Sequence, residues 1–202
     1  MSNNLRRLIG LTGGIATGKS TVSRYLADTY QLPILDADLY AREAVQANSP
    51  ILLNIFKRYG DRVRLPDGNL NRQQLGEIIF NNLEEKNWLE SQIHPYVRNR
   101  FQSEIERTDA QTIVLAIPLL FEAKMTDLTT EIWLVYCSSQ EQIRRLIERD
   151  KLSKEQAIAR IQSQIPIEEK VAWADVILDN SSTLENLFRQ IDDAFCQSTN
   201  LK

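Results

Sequence analysis

One octapeptide constrains this chain more than anything else in it. Gly13-Gly14-Ile15-Ala16-Thr17-Gly18-Lys19-Ser20 satisfies the pattern G-x-x-x-x-G-K-[ST] at every position. Glycines in such a segment let successive backbone N–H groups turn inward around an anion, and a helix starting directly afterwards adds the positive end of its dipole. The flanks agree. An apolar run at 8–11 precedes the loop, and Val22, Tyr25 and Leu26 follow Lys19 at helical spacing. At average residue frequencies a chance match arises in about one chain in a hundred of this length. The pattern predicts strand, phosphate loop and helix, with Gly13, Gly14, Ala16, Thr17, Gly18, Lys19, Ser20 and Thr21 as nucleotide contacts. Lys19 is expected to reach the β and γ phosphates of ATP, and Ser20 to ligate Mg²⁺.

Further apolar runs at 33–35, 112–117, 132–137 and 176–178 alternate with helical patterns. That alternation predicts an α/β fold, a central parallel five-stranded sheet flanked by helices. From about 50 to 107 the pattern is helical almost throughout, broken by the polar turn Pro66-Asp67-Gly68-Asn69. We expect a nucleotide-binding core at 1–48 and 108–202 and a helical substrate-binding insertion at 49–107. The charged stretch at 150–170 carries a narrow apolar stripe of Ala157, Ile158, Ile161 and Ile165, which predicts a mobile lid.

Charge narrows the partners. Lys plus Arg number 24 against 27 Asp plus Glu, a net of −3, so nothing global attracts nucleic acid or an anionic membrane. Phosphate binding must then be local. The most apolar stretch, 113–121, is about half the length needed to cross a bilayer and reads as a buried strand. Arg6-Arg7-Leu8-Ile9-Gly10-Leu11 runs into Thr12-Gly13-Gly14 too soon for a secretory leader, and the cytoplasm is the expected compartment. Cys137 and Cys196 belong to no C-x-x-C pair, so neither a zinc site nor a disulfide is expected.

The fate of the γ phosphate is the next question. No Asp is followed three residues later by Gly, no N-K-x-D occurs and no L-S-G-G occurs, which argues against GTPase switches and transporter ATPases. A small-molecule phosphotransferase remains, with a non-catalytic ATP-sensing module as the reading from a different class. Asp36 and Asp38 follow the second strand, and residues two apart on an extended segment point the same way. Asp38 is the candidate to orient or deprotonate the accepting hydroxyl, Asp36 to hold the water shell of Mg²⁺, and Asp38 is also placed to cap the next helix. Arg145 and Arg149 lie four apart on a helical pattern, so both guanidinium groups project together, and Arg160 can join them against charge on the transferred group. His94 precedes Pro95 and is expected to make a structural hydrogen bond where a helix through Val97 begins. Trp88, Trp133 and Trp173 read as packing.

These residues together resemble the dephospho-coenzyme A kinase family from end to end. The loop is similar to that family's, as are Asp36-Ala37-Asp38 with Ala41-Arg42, Asp67-Gly68-Asn69-Leu70-Asn71-Arg72, Ile93-His94-Pro95, Pro118-Leu119-Leu120-Phe121-Glu122, Arg149-Asp150, Gln164-Ile165-Pro166, Lys170, Ala174-Asp175 and Asn180. The resemblance implies a P-loop kinase fold and ATP-dependent phosphorylation of the ribose 3′-hydroxyl of dephospho-coenzyme A. It also implies Asp38 as catalytic carboxylate and Arg145, Arg149 and Arg160 on the lid side. Ala16 and Thr17 stand where the family usually has Gly and Ser, so the loop is expected to avoid positive φ at Ala16. Asn71 stands where an acidic residue is common.

Overall fold

The computed structural model describes residues 6–80 and 82–199, the last two by backbone only. The chain forms two compact units, one taking residues up to Leu35 and from Asp109 on, the other Asp36–Thr108.

The first unit is built on a five-stranded sheet. Its strands are β1 (Arg7–Gly13), β2 (Ile34–Asp36), β3 (Thr112–Ala116), β4 (Glu131–Tyr136) and β5 (Val176–Asp179), in the order β2-β3-β1-β4-β5. β1 runs parallel to both neighbours, with Leu8 opposite Ile113 and Leu11 opposite Trp133. β5 continues the parallel register, Leu134 opposite Ile177. At the other edge Val114 N–H donates to the Pro33 carbonyl at 3.0 Å. Near-continuous apolar strands such as Thr112–Ala116 suit this arrangement, because a parallel sheet is covered on both faces. The expected five-stranded α/β fold is the one found.

Two helices seal one face. α1 (Lys19–Tyr30) brings Val22 and Leu26, and the C-terminal helix Leu184–Thr199 brings Leu187 and Ile191, onto Ile9, Leu11, Val114, Trp133, Val135 and Leu178. All ten are essentially excluded from water, and at about 1.5–3 kcal/mol per buried large aliphatic side chain this core is the main stabilising term of the unit. The sheet is wound in both directions from β1, so the crevice for a ligand lies beyond the carboxyl end of that strand. The glycine loop sits there.

The second unit is helical and has its own core. α2 (Ala37–Ala44), α3 (Pro50–Tyr59), α4 (Arg72–Phe80) and α5 (Leu83–Arg107) enclose Ala44, Val45, Leu52, Ile55, Val63, Leu75 and Leu89. Local chemistry sets the helix ends. Ser49 caps α3 through Leu52 N–H at 3.1 Å, and Asn82 caps α5 through the amides of Glu84 and Glu85 at 3.0 and 3.2 Å. Asn71 accepts from Gln74 N–H at 3.1 Å, so the amide that replaces a common acidic residue still caps α4.

Four local expectations are overturned. α5 runs through His94 and Pro95 without ending, so His94 lies mid-helix and not at a helix start. Packing of Leu89, Val97 and Phe101 on either side outweighs the one hydrogen bond that Pro95 removes. The cap of α2 is Asp36, whose Oδ1 accepts from Asp38 N–H at 2.8 Å, and Asp38 occupies the first turn instead. Helix begins at Ala37, so the two-residue alternation of a strand does not relate Asp36 to Asp38. Trp173 is about half exposed (48%), resting on the Phe121 ring 5.2 Å away, whereas Trp133 is fully buried.

Candidate active site

The loop after β1 is shaped by two independent needs. Gly18 has φ 101°, and a β-carbon there would lie 2.2 Å from Asn180 Nδ2. Gly13 would drive a β-carbon to 2.7 Å from the Val135 carbonyl. Only glycine fits either place. Ala16, however, has φ 61°, the left-handed region the sequence was expected to avoid. Its methyl costs about 1–2 kcal/mol relative to a right-handed conformation, and such strain persists only where neighbours over-determine the backbone.

Those neighbours are visible. Thr17 is buried and closes the loop on itself, its N–H and Oγ1 both donating to the Gly14 carbonyl at 3.2 and 2.9 Å. Asn180, buried at the end of β5, donates Nδ2 to the Thr17 carbonyl at 2.8 Å. From α6 (Ser139–Asp150), buried Gln142 donates to the Ile15 carbonyl at 2.8 Å. Gln164 accepts from Ile15 N–H at 2.9 Å. It follows α7 (Lys154–Gln162) and precedes α8 (Ile167–Trp173).

What remains unsatisfied defines the chemistry. Among the described residues, the N–H groups of Ala16, Gly18, Lys19 and Ser20 donate to no protein acceptor, while Thr21 N–H turns back to the Gly18 carbonyl at 2.9 Å. Lys19, first residue of α1, has no carboxylate partner among them. Amides, helix dipole and ammonium thus add positive potential, and among the described residues no carboxylate pairs with the ammonium. Ser20 is exposed on the first turn of α1 and its hydroxyl has no protein partner among the described residues. That fits a hard cation held by one or two protein oxygens plus phosphates. No group of three His, Cys, Asp or Glu able to form an all-protein cage occurs among the described residues.

The three arginines do not share one carboxylate. Arg145 turns to the loop, donating to the Asn180 carbonyl at 2.9 Å, the Thr17 carbonyl at 3.4 Å and Glu141 at 2.7 Å. A hydrogen bond from Arg144 is the main cause holding Glu141 well below the usual range, at about 2; burial opposes it, and Arg145 adds to the lowering. Arg149 and Arg160 instead share Asp150, at 2.8 and 3.0 Å, and the Arg149 contact lowers the Asp150 pKa. Cys137, free and buried at the end of β4, has its thiol pushed up by burial, and Cys196 is free as well.

The second unit contains a cavity of about 420 Å³. Its walls are apolar, from Val45, Leu75, Ile79, Leu89 and Ile93, with Asp38, Arg42 and Arg72 as its charged lining. Among the described residues neither Arg42 nor Arg72 has an ion-pair partner. Apolar walls with a few convergent charges are the usual make-up of a small-molecule pocket. Reading the residues alone singled out neither arginine for chemistry, and gave no role to Gln142, Gln164 or Asn180. Polar side chains that act by gripping backbone carry no periodic signal.

Sheet order and loop geometry define a nucleotide-binding protein of the P-loop kinase fold. A family model described as dephospho-CoA kinase matches residues 7–186. A dephospho-CoA kinase of Trichormus variabilis is 59% identical over 189 residues, covering 94% of this chain and 96% of that protein. Among solved structures, TT1252 of Thermus thermophilus superposes with TM-score 0.83 at 33% identity over 95% of this chain and 97% of that one. A dephospho-CoA kinase from Campylobacter jejuni gives TM-score 0.70 at 30% identity, over 95% and 96% of the two chains. The chain belongs to the dephospho-CoA kinase family.

Proposed function

We propose that this chain uses ATP to phosphorylate the ribose 3′-hydroxyl of dephospho-coenzyme A, the closing step of coenzyme A synthesis, in the cytoplasm. The observation that carries the reading is the row of unsatisfied amides at Ala16, Gly18, Lys19 and Ser20 beside an unpaired Lys19 ammonium. Such a cradle holds a triphosphate and costs no reorganisation when charge shifts in the transition state.

The roles divide as follows. Gly13, Gly14, Ala16, Thr17, Gly18 and Thr21 shape the cradle, and Lys19 bridges the β and γ phosphates. Mg²⁺, with Ser20 as ligand and Asp36 supplying an oxygen to its water shell, would neutralise charge on the same phosphates. Asp38 accepts the proton of the attacking hydroxyl or orients it. Arg145 and Arg149 stabilise the transferring group, Arg145 from its seat on Thr17 and Asn180. The stretch at 150–170 serves as a lid that excludes water, and the helical unit holds the acceptor.

Arg42 and Arg72 suit an acceptor that itself carries phosphate, since guanidinium groups pair with phosphate in a planar, two-point fashion. Arg42→Ala or Arg72→Ala should each raise KM for dephospho-coenzyme A by about tenfold while KM for ATP stays within about twofold. An unchanged acceptor KM in both variants removes them from acceptor binding. The decisive experiment is mass analysis of the product from dephospho-coenzyme A and Mg-ATP. A mass gain of one phosphoryl group supports the reading. Turnover of a nucleoside or sugar acid alone, or ATP binding without any product, refutes it.

A further inference from the structure

Lys170 on α8 is completely buried, an unusual place for a flexible, strongly hydrated ammonium. Its ion-pair partner is Glu122, at 2.7 Å, in the segment that follows β3. The contact is one of charge more than of direction, for neither Lys170 Nζ nor Glu122 Oε2 meets a hydrogen-bonding geometry among the described residues. Two apolar side chains of similar size would fill such a site at no electrostatic cost. Stability alone therefore gives little reason for the pair.

Its connections give another. Glu122 Oε1 also accepts from Ile165 N–H at 3.2 Å. The preceding residue, Gln164, accepts from Ile15 N–H in the glycine loop at 2.9 Å. The next peptide, Ile15–Ala16, is held as well, its Ile15 carbonyl taking Gln142 Nε2 at 2.8 Å. With the peptide planes on both sides of its Cα held, Ile15 has little backbone freedom, and it directly precedes Ala16, whose φ of 61° needs just such a constraint.

We propose that Glu122 and Lys170 are positioning residues: the buried pair anchors the Gln164-Ile165 segment, Gln164 then fixes the Gly14–Ile15 peptide, and the amides that follow are aimed at the nucleotide. The inference rests on reading the loop as the ATP cradle. ATP binding by the unaltered chain tests that premise separately, because a chain that binds no ATP sinks the premise before any variant is compared.

The experiment measures calorimetric affinity for a non-hydrolysable ATP analogue, steady-state KM for both substrates, and thermal midpoint, on the full chain. Gln164→Ala should weaken analogue binding about fivefold, the worth of one neutral hydrogen bond, with KM for the acceptor unchanged. Glu122→Leu combined with Lys170→Met should melt no lower than the parent yet lose analogue affinity to a similar degree. Adding Gln164→Ala to that pair should bring little further loss, because all three act through one contact. Parental affinity in the folded double variant, or losses that multiply in the triple one, overturns the proposal. If the double variant does not fold, Lys170→Met alone decides: weakened nucleotide binding with an unchanged acceptor KM supports the anchor, and unchanged nucleotide binding overturns it.

Discussion

Ala16 holds a left-handed backbone that a glycine would accept without strain. Ala16→Gly should relieve about 1–2 kcal/mol in the folded state and give back about 0.5–1 through greater freedom of the unfolded chain. The expected outcome is a net gain of about 0.5–1 kcal/mol, read as a higher urea midpoint at constant m. A lower midpoint would mean that the alanine methyl makes a contact worth more than the strain. Asp38 is the residue proposed to receive the proton of the accepting hydroxyl. With Asp36 already capping α2, Asp38→Asn leaves that cap in place and puts a neutral side chain of the same size where the carboxylate was. ATP affinity should hold while single-turnover phosphorylation slows by about a hundredfold or more, and near-parental turnover would take Asp38 out of the mechanism.

At the scale of elements, α5 is instructive because sequence punctuation misled about it. Pro95 looks like a stop, yet apolar packing along 25 residues carries the helix through it. His94 is consequently carried into the body of the helix, where burial lowers its pKa against a weaker upward pull from Glu90. A folded state that resists protonation loses stability relative to an unfolded chain that accepts the proton near the ordinary value of about 6.5. The contribution is thus intact above that pH and is lost as pH falls through the lowered folded value. His94→Gln should flatten the stability profile on the acid side, measured as urea midpoints at about pH 7 and 5.5 for both chains. Equal slopes in the two chains would show that His94 titrates alike folded and unfolded. The strands were more legible than this helix, since short apolar runs between glycines and charges leave few alternatives.

For the molecule as a whole, the lid reading makes a claim about motion. Cleavage between Lys151 and Lys170 by a lysine-specific protease should slow when ATP analogue and dephospho-coenzyme A are both bound, and stay at the ligand-free rate if the stretch is only a surface helix pair. The described residues include no helix long and apolar enough to span a membrane. Sequence alone determined the five strands and the phosphate loop, because apolar periodicity and glycine spacing are local properties. Tertiary structure alone decided how the loop is held: Gln142, Gln164, Asn180 and Arg145 come from elements more than a hundred residues away. It also gave Arg145 one carboxylate, Glu141, and Arg149 and Arg160 another, Asp150. A hydrogen bond to a distant backbone leaves no spacing in the chain to read, since its partners are set by the sheet that brings them together.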